Sequence, residues 1–292
     1  MKLDKNRGLL EKRRTVPERV FFAGFNVVLF IWSLLMLGML FWALMSSLKT
    51  NLEYLNKPLM FPKEFHFENF ELAISKLYHN GVGFFGMLYN SMWLSLGSAI
   101  LSTFTCCVTG YIFAQYKFKG RDFLFSLVVF VMIIPIYGAL PAQYKLIYDL
   151  GLNDSYLFLI QSLSGFGGNM LLTYGYFKTS PKELREAVFM DGGSDYVAFF
   201  KIYFPLAKNI FVALFLLGFI GTWNDYQTSM LYFDKRPNLA LGLYNFQQEI
   251  RFMANDPAYF AGTIIVMIPV IILFVSFSDK IMGQLYSGGL KG

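Results

Sequence analysis

Residues 20–48 read VFFAGFNVVLFIWSLLMLGMLFWALMSSL, and none of these 29 residues carries a charged side chain. An α-helix needs about 20 apolar residues to cross the hydrocarbon core of a bilayer. The stretch is too long for the hydrophobic part of a cleaved signal peptide, and a polar tail of 19 residues precedes it. It therefore predicts a membrane-spanning helix close to the N-terminus.

The composition extends this prediction to the whole chain. Of its 292 residues, 55% are hydrophobic, 19% are aromatic and only 15% are charged, whereas soluble domains carry about 25% charged residues. The mean hydropathy is +0.47. These values exclude a soluble domain, which needs more charge to cover its surface, and a disordered chain, which is poor in aromatic residues. We expect an all-α, polytopic membrane protein.

Five further apolar stretches follow the first one. We predict six transmembrane helices, near residues 20–47, 88–115, 123–147, 155–177, 208–232 and 258–279. The chain then divides into a basic N-tail, a first helix, a loop, a five-helix core that contains the polar segment 178–208, and a C-tail. The bounds of these parts are 1–19, 20–48, 49–87, 88–282 and 283–292.

The distribution of Lys and Arg predicts the orientation. With the N-terminus in the cytoplasm, the cytoplasmic segments hold 17 of the 25 basic residues, and the extracellular segments hold eight. Basic residues are enriched on the cytoplasmic side of membrane proteins. We therefore expect both termini and the 178–208 segment to be cytoplasmic and the 49–87 loop to be extracellular. The net charge of +6 is thus explained by topology, and we expect no nucleic-acid partner.

Catalytic motifs are missing from the sequence. The two cysteines, Cys106 and Cys107, are adjacent and lie in an apolar run, and the two histidines, His66 and His79, lie in one polar stretch. No Gly-x-x-x-x-Gly-Lys or Gly-x-Ser-x-Gly pattern occurs. We predict no catalytic residues, no metal site and no cofactor, so the chain is not expected to be an enzyme.

The polar segment 178–208 reads KTSPKELREAVFMDGGSDYVAFFKIYFPLAK. Ser180 as N-cap, Pro181 at the first helical position and Glu183 as the partner of a capping box predict a helix that runs to Met190. Gly192 ends this helix, since glycine accepts the left-handed conformation found after helix C-termini. Capped by the serine at 194, a second short helix is predicted over residues 195–202.

The first of these short helices carries an apolar stripe of Leu184, Ala187 and Val188, spaced i, i+3 and i+4. The stripe can pack against the chain's own spans or lie on the lipid interface. It can equally enter a groove of a partner protein. The lack of an energy-converting site in the chain favours the partner.

The order of residues in this segment resembles a known motif. Glu186-Ala187-Val188 is followed after three residues by Gly192, after nine more by Ile202, and after one more by Phe204-Pro205. This spacing is similar to the EAA motif of permease subunits of ATP-binding-cassette importers, with Val188 and Phe204 in place of Ala and Leu. Other stretches resemble the maltose-type, sugar-importing branch of the binding-protein-dependent transport family, namely residues 41–49, 90–91, 116–121, 223–224 and 288–292.

The resemblance implies a function and a set of partners. It implies the permease subunit of an ATP-driven importer in the bacterial cytoplasmic membrane, which moves a sugar or oligosaccharide by alternating access. The implied partners are a second homologous permease, two copies of a cytoplasmic ATPase that binds the ATP and Mg, and an extracellular or periplasmic solute-binding protein. It implies that the ATPase is contacted by Glu186, Ala187, Val188, Asp191, Gly192 and Gly193.

Neutral polar and aromatic residues inside the predicted spans are candidates for the substrate path. Sugars are bound by hydrogen bonds to their hydroxyls and by contact with aromatic faces. We name Asn90, Gln143, Asn169, Tyr174, Trp223 and Asn224, with Gln161 as a further candidate. The alternative is that these side chains bond between helices or lie at the membrane interface. Asp225 is the one acid inside a predicted span away from its ends, which suits a neutral solute. A polyamine or phosphate importer and a gradient-driven secondary transporter remain the alternative functions.

Overall fold

The computed structural model describes residues 16–134, 138–253 and 255–288. The predicted N-tail and C-tail therefore fall partly outside the described residues, since residues 1–15 and 289–292 do so. Residues 16–19 and 283–288 belong to the first and last helices. Over the described ranges the chain is helical and forms no strand beyond one isolated bridge between His79 and Val82, which confirms the all-α class.

The helices follow one another with short connections. In chain order they are α1 (Val16–Ser47), α2 (Asn51–Asn56), α3 (Glu68–Lys76), α4 (Phe84–Gln115), α5 (Arg121–Ile133), α6 (Ala139–Asp149), α7 (Gly168–Thr179), α8 (Glu183–Met190), α9 (Asp195–Val197), α10 (Phe204–Leu206), α11 (Lys208–Trp223), α12 (Tyr226–Tyr232), α13 (Leu239–Met253) and α14 (Asp256–Gly288). A 3₁₀ segment, Tyr156–Leu163, precedes α7, and a π-helical segment, Ala198–Tyr203, joins α9 to α10.

Three helices of the described chain are long and apolar enough to cross a membrane. They are residues 20–47 of α1, the whole of α4, and residues 256–277 of α14. A fourth span results if residues 195–206 and α11, which meet at an angle of 72°, are counted together. The first, second and sixth predicted spans thus have matching helices. The count of six stays a prediction.

The third and fourth predicted spans are divided. The third corresponds to α5 and α6, with a break at residues 134–138, of which 135–137 are not described. The fourth corresponds to the 3₁₀ segment and α7. Gly167 separates these two with φ +137° and ψ −167°, a conformation that is essentially restricted to glycine. Glycines at 165, 167 and 168 permit close packing or a break in this span, whereas hydropathy alone does not locate a break.

The helix α4 is the centre of the bundle and packs against both α7 and α11. A Cβ atom on Gly110 would clash with Thr173 of α7. The Thr173 hydroxyl donates to the carbonyl of Cys106 at 2.7 Å, and the Thr109 hydroxyl donates to the carbonyl of Gly165 at 2.6 Å. Small residues and interhelical hydrogen bonds of this kind hold helices together where lipid provides no hydrophobic driving force. Both cysteines are free and buried here, as expected of packing residues.

The segment between α1 and α4 folds back against the end of α1. The short helix α3 lies in this segment, and its Asn69 and Ala73 side chains are buried. The amide of Asn69 donates to the carbonyl of Lys49 at 2.9 Å. Lys49 itself is fully buried, and its ammonium group donates to the carbonyls of Lys57 and Pro58 at 3.0 and 2.9 Å. A charged side chain thus fixes the path of this segment.

Candidate functional site

The C-terminus of α8 forms a double-glycine elbow. Gly192 has φ +75°, and its N–H donates to the carbonyl of Phe189 at 3.0 Å, while the N–H of Gly193 donates to the carbonyl of Val188 at 2.8 Å. These two bonds define a Schellman motif, so the predicted left-handed stop at Gly192 is confirmed. A Cβ atom on Gly193 would lie 2.5 Å from Cγ1 and 2.9 Å from the carbonyl oxygen of Val188. Gly192 is therefore needed for its left-handed backbone conformation, and Gly193 is needed because a Cβ atom there would clash with Val188.

The N-terminus of α8 differs from the prediction. The capping box of Ser180 and Glu183 does not form, and α8 begins at Glu183 after Lys182. The Ser180 hydroxyl instead donates to the carbonyl of Tyr176 at 3.2 Å, so it serves the last turn of the preceding helix. The carbonyl of Pro181 accepts a hydrogen bond from the Tyr203 hydroxyl at 2.9 Å, which ties the turn to the helix that follows the elbow.

One side chain, Arg185, holds the two arms of the elbow together. Its Nε and Nη2 atoms lie 3.1 and 2.9 Å from Oδ1 of Asp195. Its guanidinium group also lies 4.1 Å from the centroid of the Tyr116 ring and 4.9 Å from that of Phe189. Burial and the neighbouring Asp195 carboxylate raise the pKa of the Tyr116 phenol. The sequence analysis did not identify Arg185. The signal was present, because Arg185 and Asp195 carry opposite charges and lie on either side of the two glycines.

The exposed face of α8 is not the predicted stripe. Val188 is only 7% exposed, and Leu184 packs with the aromatic cluster below the loop. These two side chains therefore pack within the chain, which is the alternative interpretation of the stripe, whereas the third member, Ala187, is exposed. The exposed side chains of α8 include Glu186, Ala187 and Met190, with Glu183 and Phe189 also exposed, and Met190 is 87% exposed. Asp191 and Gly192 are exposed beside them.

An aromatic cluster supports the loop from below. The rings of Phe177, Phe199 and Tyr203 surround Tyr111 of α4, with centroid distances of 5.5, 5.0 and 5.0 Å. The predicted second helix is present as α9, the π-helical segment and α10, and it runs as far as Leu206. The predicted cap does not form, because the Ser194 side chain makes no capping hydrogen bond. The chain then bends by 72° into α11. The elbow is thus seated on a rigid base, and its exposed face points away from it.

The six predicted substrate-path residues do not converge on one cavity. The Asn90 amide donates to the carbonyl of Pro237 at 3.0 Å, and the Trp223 indole N–H donates to that of Val266 at 3.1 Å. The Tyr174 ring packs 4.6 Å from that of Phe125. These three side chains therefore make contacts within the chain, as the alternative interpretation expects.

The other three members lie nearer the surface. Gln143 and Asn169 are exposed. Asn224 donates to the carbonyl of Ile220 at 2.9 Å, and together with Trp223 it lines a cavity of about 190 Å³. Its other walls include Tyr226 and Tyr244, whose rings are stacked at 4.5 Å.

A second cavity of about 230 Å³ lies between α4, the 3₁₀ segment, α11 and α12. Hydroxyl and amide side chains dominate its walls: Ser98, Ser102, Gln161, Ser162, Ser164, Thr222 and Thr228, with Asp225, Leu94, Phe158 and Gly218. Asp225 caps α12, and its two carboxylate oxygens accept bonds from the N–H and hydroxyl of Thr228 at 3.0 and 2.5 Å. Of the sequence candidates only Gln161 and Asp225 are here, because serine and threonine in an apolar run gave no distinct signal.

The sequence matches the profile of the binding-protein-dependent transport system inner membrane component family over residues 106–282. It is 30% identical to the arabinooligosaccharides transport system permease protein of Bacillus subtilis, over 89% of this chain and 92% of that protein. It is 24% identical to the diacetylchitobiose uptake system permease protein of Streptomyces coelicolor, over 97% of this chain and 93% of that protein. A maltodextrin transport system permease protein of Bacillus subtilis is 30% identical over 70% of this chain and 74% of that protein.

A solved structure has the same fold. It is the crystal structure of a bacterial ABC transporter involved in the import of the acidic polysaccharide alginate, in which one chain superposes with a TM-score of 0.70 and 23% identity. The match covers 91% of this chain and 98% of that chain. The profile match spans more than half of the sequence and includes α7, the double-glycine elbow and α11. The chain therefore belongs to the family of inner membrane components of binding-protein-dependent transport systems.

Proposed function

We propose that this chain is the permease subunit of an ATP-driven importer that carries a sugar or oligosaccharide across the bacterial cytoplasmic membrane by alternating access. The observation that carries the proposal is the exposed face of α8, which is held at a fixed angle by the Schellman elbow and by the Arg185–Asp195 pair. A short helix presented in this way on a rigid base is suited to enter a groove of a partner. The relatives named for sugar import support the substrate class.

The docking partner in this proposal is a separate ATPase, which binds ATP and Mg. The docking surface consists of Glu186, Ala187 and Met190 with the exposed Asp191 and Gly192, while Val188 and Gly193 shape it from behind. The remaining partners are a second homologous permease, a second ATPase copy and a solute-binding protein. Family membership supports the solute-binding protein as a partner, since the family is defined by dependence on a binding protein.

The topology belongs to the same proposal. Six membrane crossings require that α5 with α6, the 3₁₀ segment with α7, and α11 with α12 each cross as a broken pair. Both termini and the 178–208 loop then face the cytoplasm, because 17 of 25 basic residues lie on that side. The variants Met190→Cys and Glu71→Cys test this, since both parent residues are exposed. Met190→Cys should react with an impermeant thiol reagent only in inverted vesicles, and Glu71→Cys only in intact cells; labelling of Met190→Cys in intact cells would contradict the orientation.

Uptake measurements test the function itself. In a strain that produces the complete importer, accumulation of a labelled neutral trisaccharide should depend on this chain and on ATP. The control is a strain with an intact importer whose ATPase cannot hydrolyse ATP. Uptake that survives ATP depletion but is lost with the proton gradient would assign the chain to the secondary transporters. Uptake of a polyamine or phosphate with no uptake of any sugar would disprove the substrate class.

A further inference from the structure

The cavity beside α4 has the chemistry of a site for polyols. Hydroxyl and amide side chains both donate and accept hydrogen bonds, as sugar hydroxyls do. The side chains of Ser98, Gln161 and Thr222 face this cavity and make no hydrogen bond within the described chain. Leu94 and Phe158 give it an apolar wall. A few convergent polar groups beside an apolar wall are typical of small-ligand sites.

Its position suits a transport path. Leu94, Ser98 and Ser102 are spaced four residues apart, so they share one face at the middle of α4. On the opposite side the cavity reaches Thr222 and Asp225, where α11 ends and α12 begins. Ser98, Gln161 and Thr222 are each partly or fully accessible. Polar groups at such a depth are costly in a membrane and usually serve a function.

The cavity is large enough for a ligand group. A single water needs about 15 Å³, so 230 Å³ is roughly fifteen times that requirement. The space between α4 and α11 stays open because Gly218 faces the cavity, where a Cβ atom would lie 3.6 Å from Ala99. One sugar ring fits these dimensions better than a whole oligosaccharide does.

The charge of the lining selects among saccharides. Its single ionisable side chain within the described residues is Asp225, and none of the lining side chains is basic. The Asp225 carboxylate is held in place by two bonds from Thr228. A fixed carboxylate accepts hydrogen bonds from neutral hydroxyls and repels the carboxylate of an acidic sugar.

We propose that this subunit itself binds one ring of a neutral saccharide in the cavity between α4, the 3₁₀ segment and α11, through Ser98, Gln161 and Thr222, and that Asp225 excludes acidic sugars from it. This inference rests on the proposed import function but goes beyond it. The substrate could be selected entirely by the binding protein and the second permease, and the proposal states that this chain takes part. It further distinguishes the chain from the alginate importer that shares its fold.

Binding to the purified importer complex in lipid nanodiscs, without the binding protein, tests the proposal. The probes are labelled maltotriose, arabinotriose and trigalacturonate, measured by equilibrium dialysis. The variants are Thr222→Val and Gln161→Leu, which keep side-chain size while removing hydrogen-bonding groups. For whichever neutral trisaccharide the wild-type complex binds, the Kd should rise about three- to tenfold in each variant, as expected for one lost hydrogen bond. Thr263→Val is the matched control, because Thr263 lies outside the cavity and bonds only within α14.

The outcomes separate this inference from the proposed function. Suppose that the wild-type strain imports a neutral trisaccharide. The inference is then overturned, and the import function stands, if both variant complexes bind this sugar with unchanged Kd. The same holds if the wild-type complex does not bind it at millimolar concentration. If the strain imports no saccharide, the proposed function fails first. Recovery of the variant complexes in wild-type amounts verifies their folding.

The exclusion of acidic sugars has its own variant. Asp225→Asn removes the charge while keeping a side chain that can still cap α12. It should bind trigalacturonate more than tenfold better than wild type does. Equal binding of trigalacturonate and the neutral sugar by the wild-type complex would overturn this part.

Discussion

The double-glycine elbow allows a graded test of the docking loop. Gly192 has φ +75°, and no atom lies within 4 Å of the position of a Cβ there, so a substitution costs only backbone strain. That strain is about 1–2 kcal/mol for an ordinary L-residue, smaller for Asn and larger for a β-branched side chain. A strain of 1–2 kcal/mol corresponds to roughly a 5- to 30-fold change in a two-state population. We therefore expect docking to be weakened least by Gly192→Asn, more by Gly192→Ala and most by Gly192→Val.

The neighbouring glycine tests space instead of conformation. A Cβ atom on Gly193 would lie 2.9 Å from the carbonyl oxygen of Val188, which is the acceptor of the 2.8 Å bond that closes the elbow. Gly193→Ala must therefore open that bond, which is worth about 1 kcal/mol, and must move the end of α8. We expect it to weaken docking at least as much as Gly192→Ala does.

The assay is recovery of the partner ATPase with the purified permease, together with uptake in cells. Membrane insertion and thermal stability of the permease serve as controls, since the elbow lies outside the helix bundle. Wild-type complex recovery and uptake for Gly192→Val would show that α8 is only a surface helix. Equal effects of Gly192→Asn and Gly192→Val would refute the argument from backbone conformation.

Three further variants test other contacts. Met190→Asp places a charge on the most exposed apolar side chain of α8 and should lower ATPase recovery about tenfold or more without affecting insertion. Gly110→Ala should lower the melting temperature of the purified protein, because its Cβ would lie 2.8 Å from the backbone nitrogen of Tyr174. The control is Gly175→Ala, which should leave the melting temperature unchanged because no atom lies within 4 Å of its Cβ. Lys49→Met leaves two backbone carbonyls without their donor and should cost about 1–3 kcal/mol, seen as faster proteolysis of residues 50–67; an unchanged digestion rate would contradict the anchoring role.

The sequence predicts those parts of the fold that depend on local chemistry. The uncharged run at 20–48 corresponds to α1, and the runs that became α4 and α14 are also long enough to cross a membrane. Gly192-Gly193 marked the elbow because a left-handed residue after a helix is nearly always glycine. Hydropathy does not change across the break at Gly167, so only the glycines at 165, 167 and 168 pointed to a divided span.

The candidate site was harder to predict because burial is a tertiary property. The apolar stripe on α8 was correctly recognised, but amphipathicity does not reveal whether a helix buries its stripe in its own chain or in a partner. Val188 is buried and Met190 is exposed, although both are apolar. Likewise, Asn90 and Trp223 looked suited to bind sugars, yet their polar hydrogens are already used by backbone carbonyls.

One helix, α11, extends from the bend after the elbow's second arm to the polar cavity. The second arm of the elbow ends at Leu206, and after the 72° bend α11 runs from Lys208 to Trp223 without a break. Its 16 residues span about 24 Å, and Thr222 near its end is a wall of the cavity. A helix packed against α4 along this length moves as a rigid body more readily than it bends, because a bend would break hydrogen bonds in an apolar surrounding. We therefore expect α11 to be the element that links the elbow to the cavity, provided that the 72° bend transmits a displacement; a two-state motion of this helix would supply the physical connection that coupling between distant sites requires.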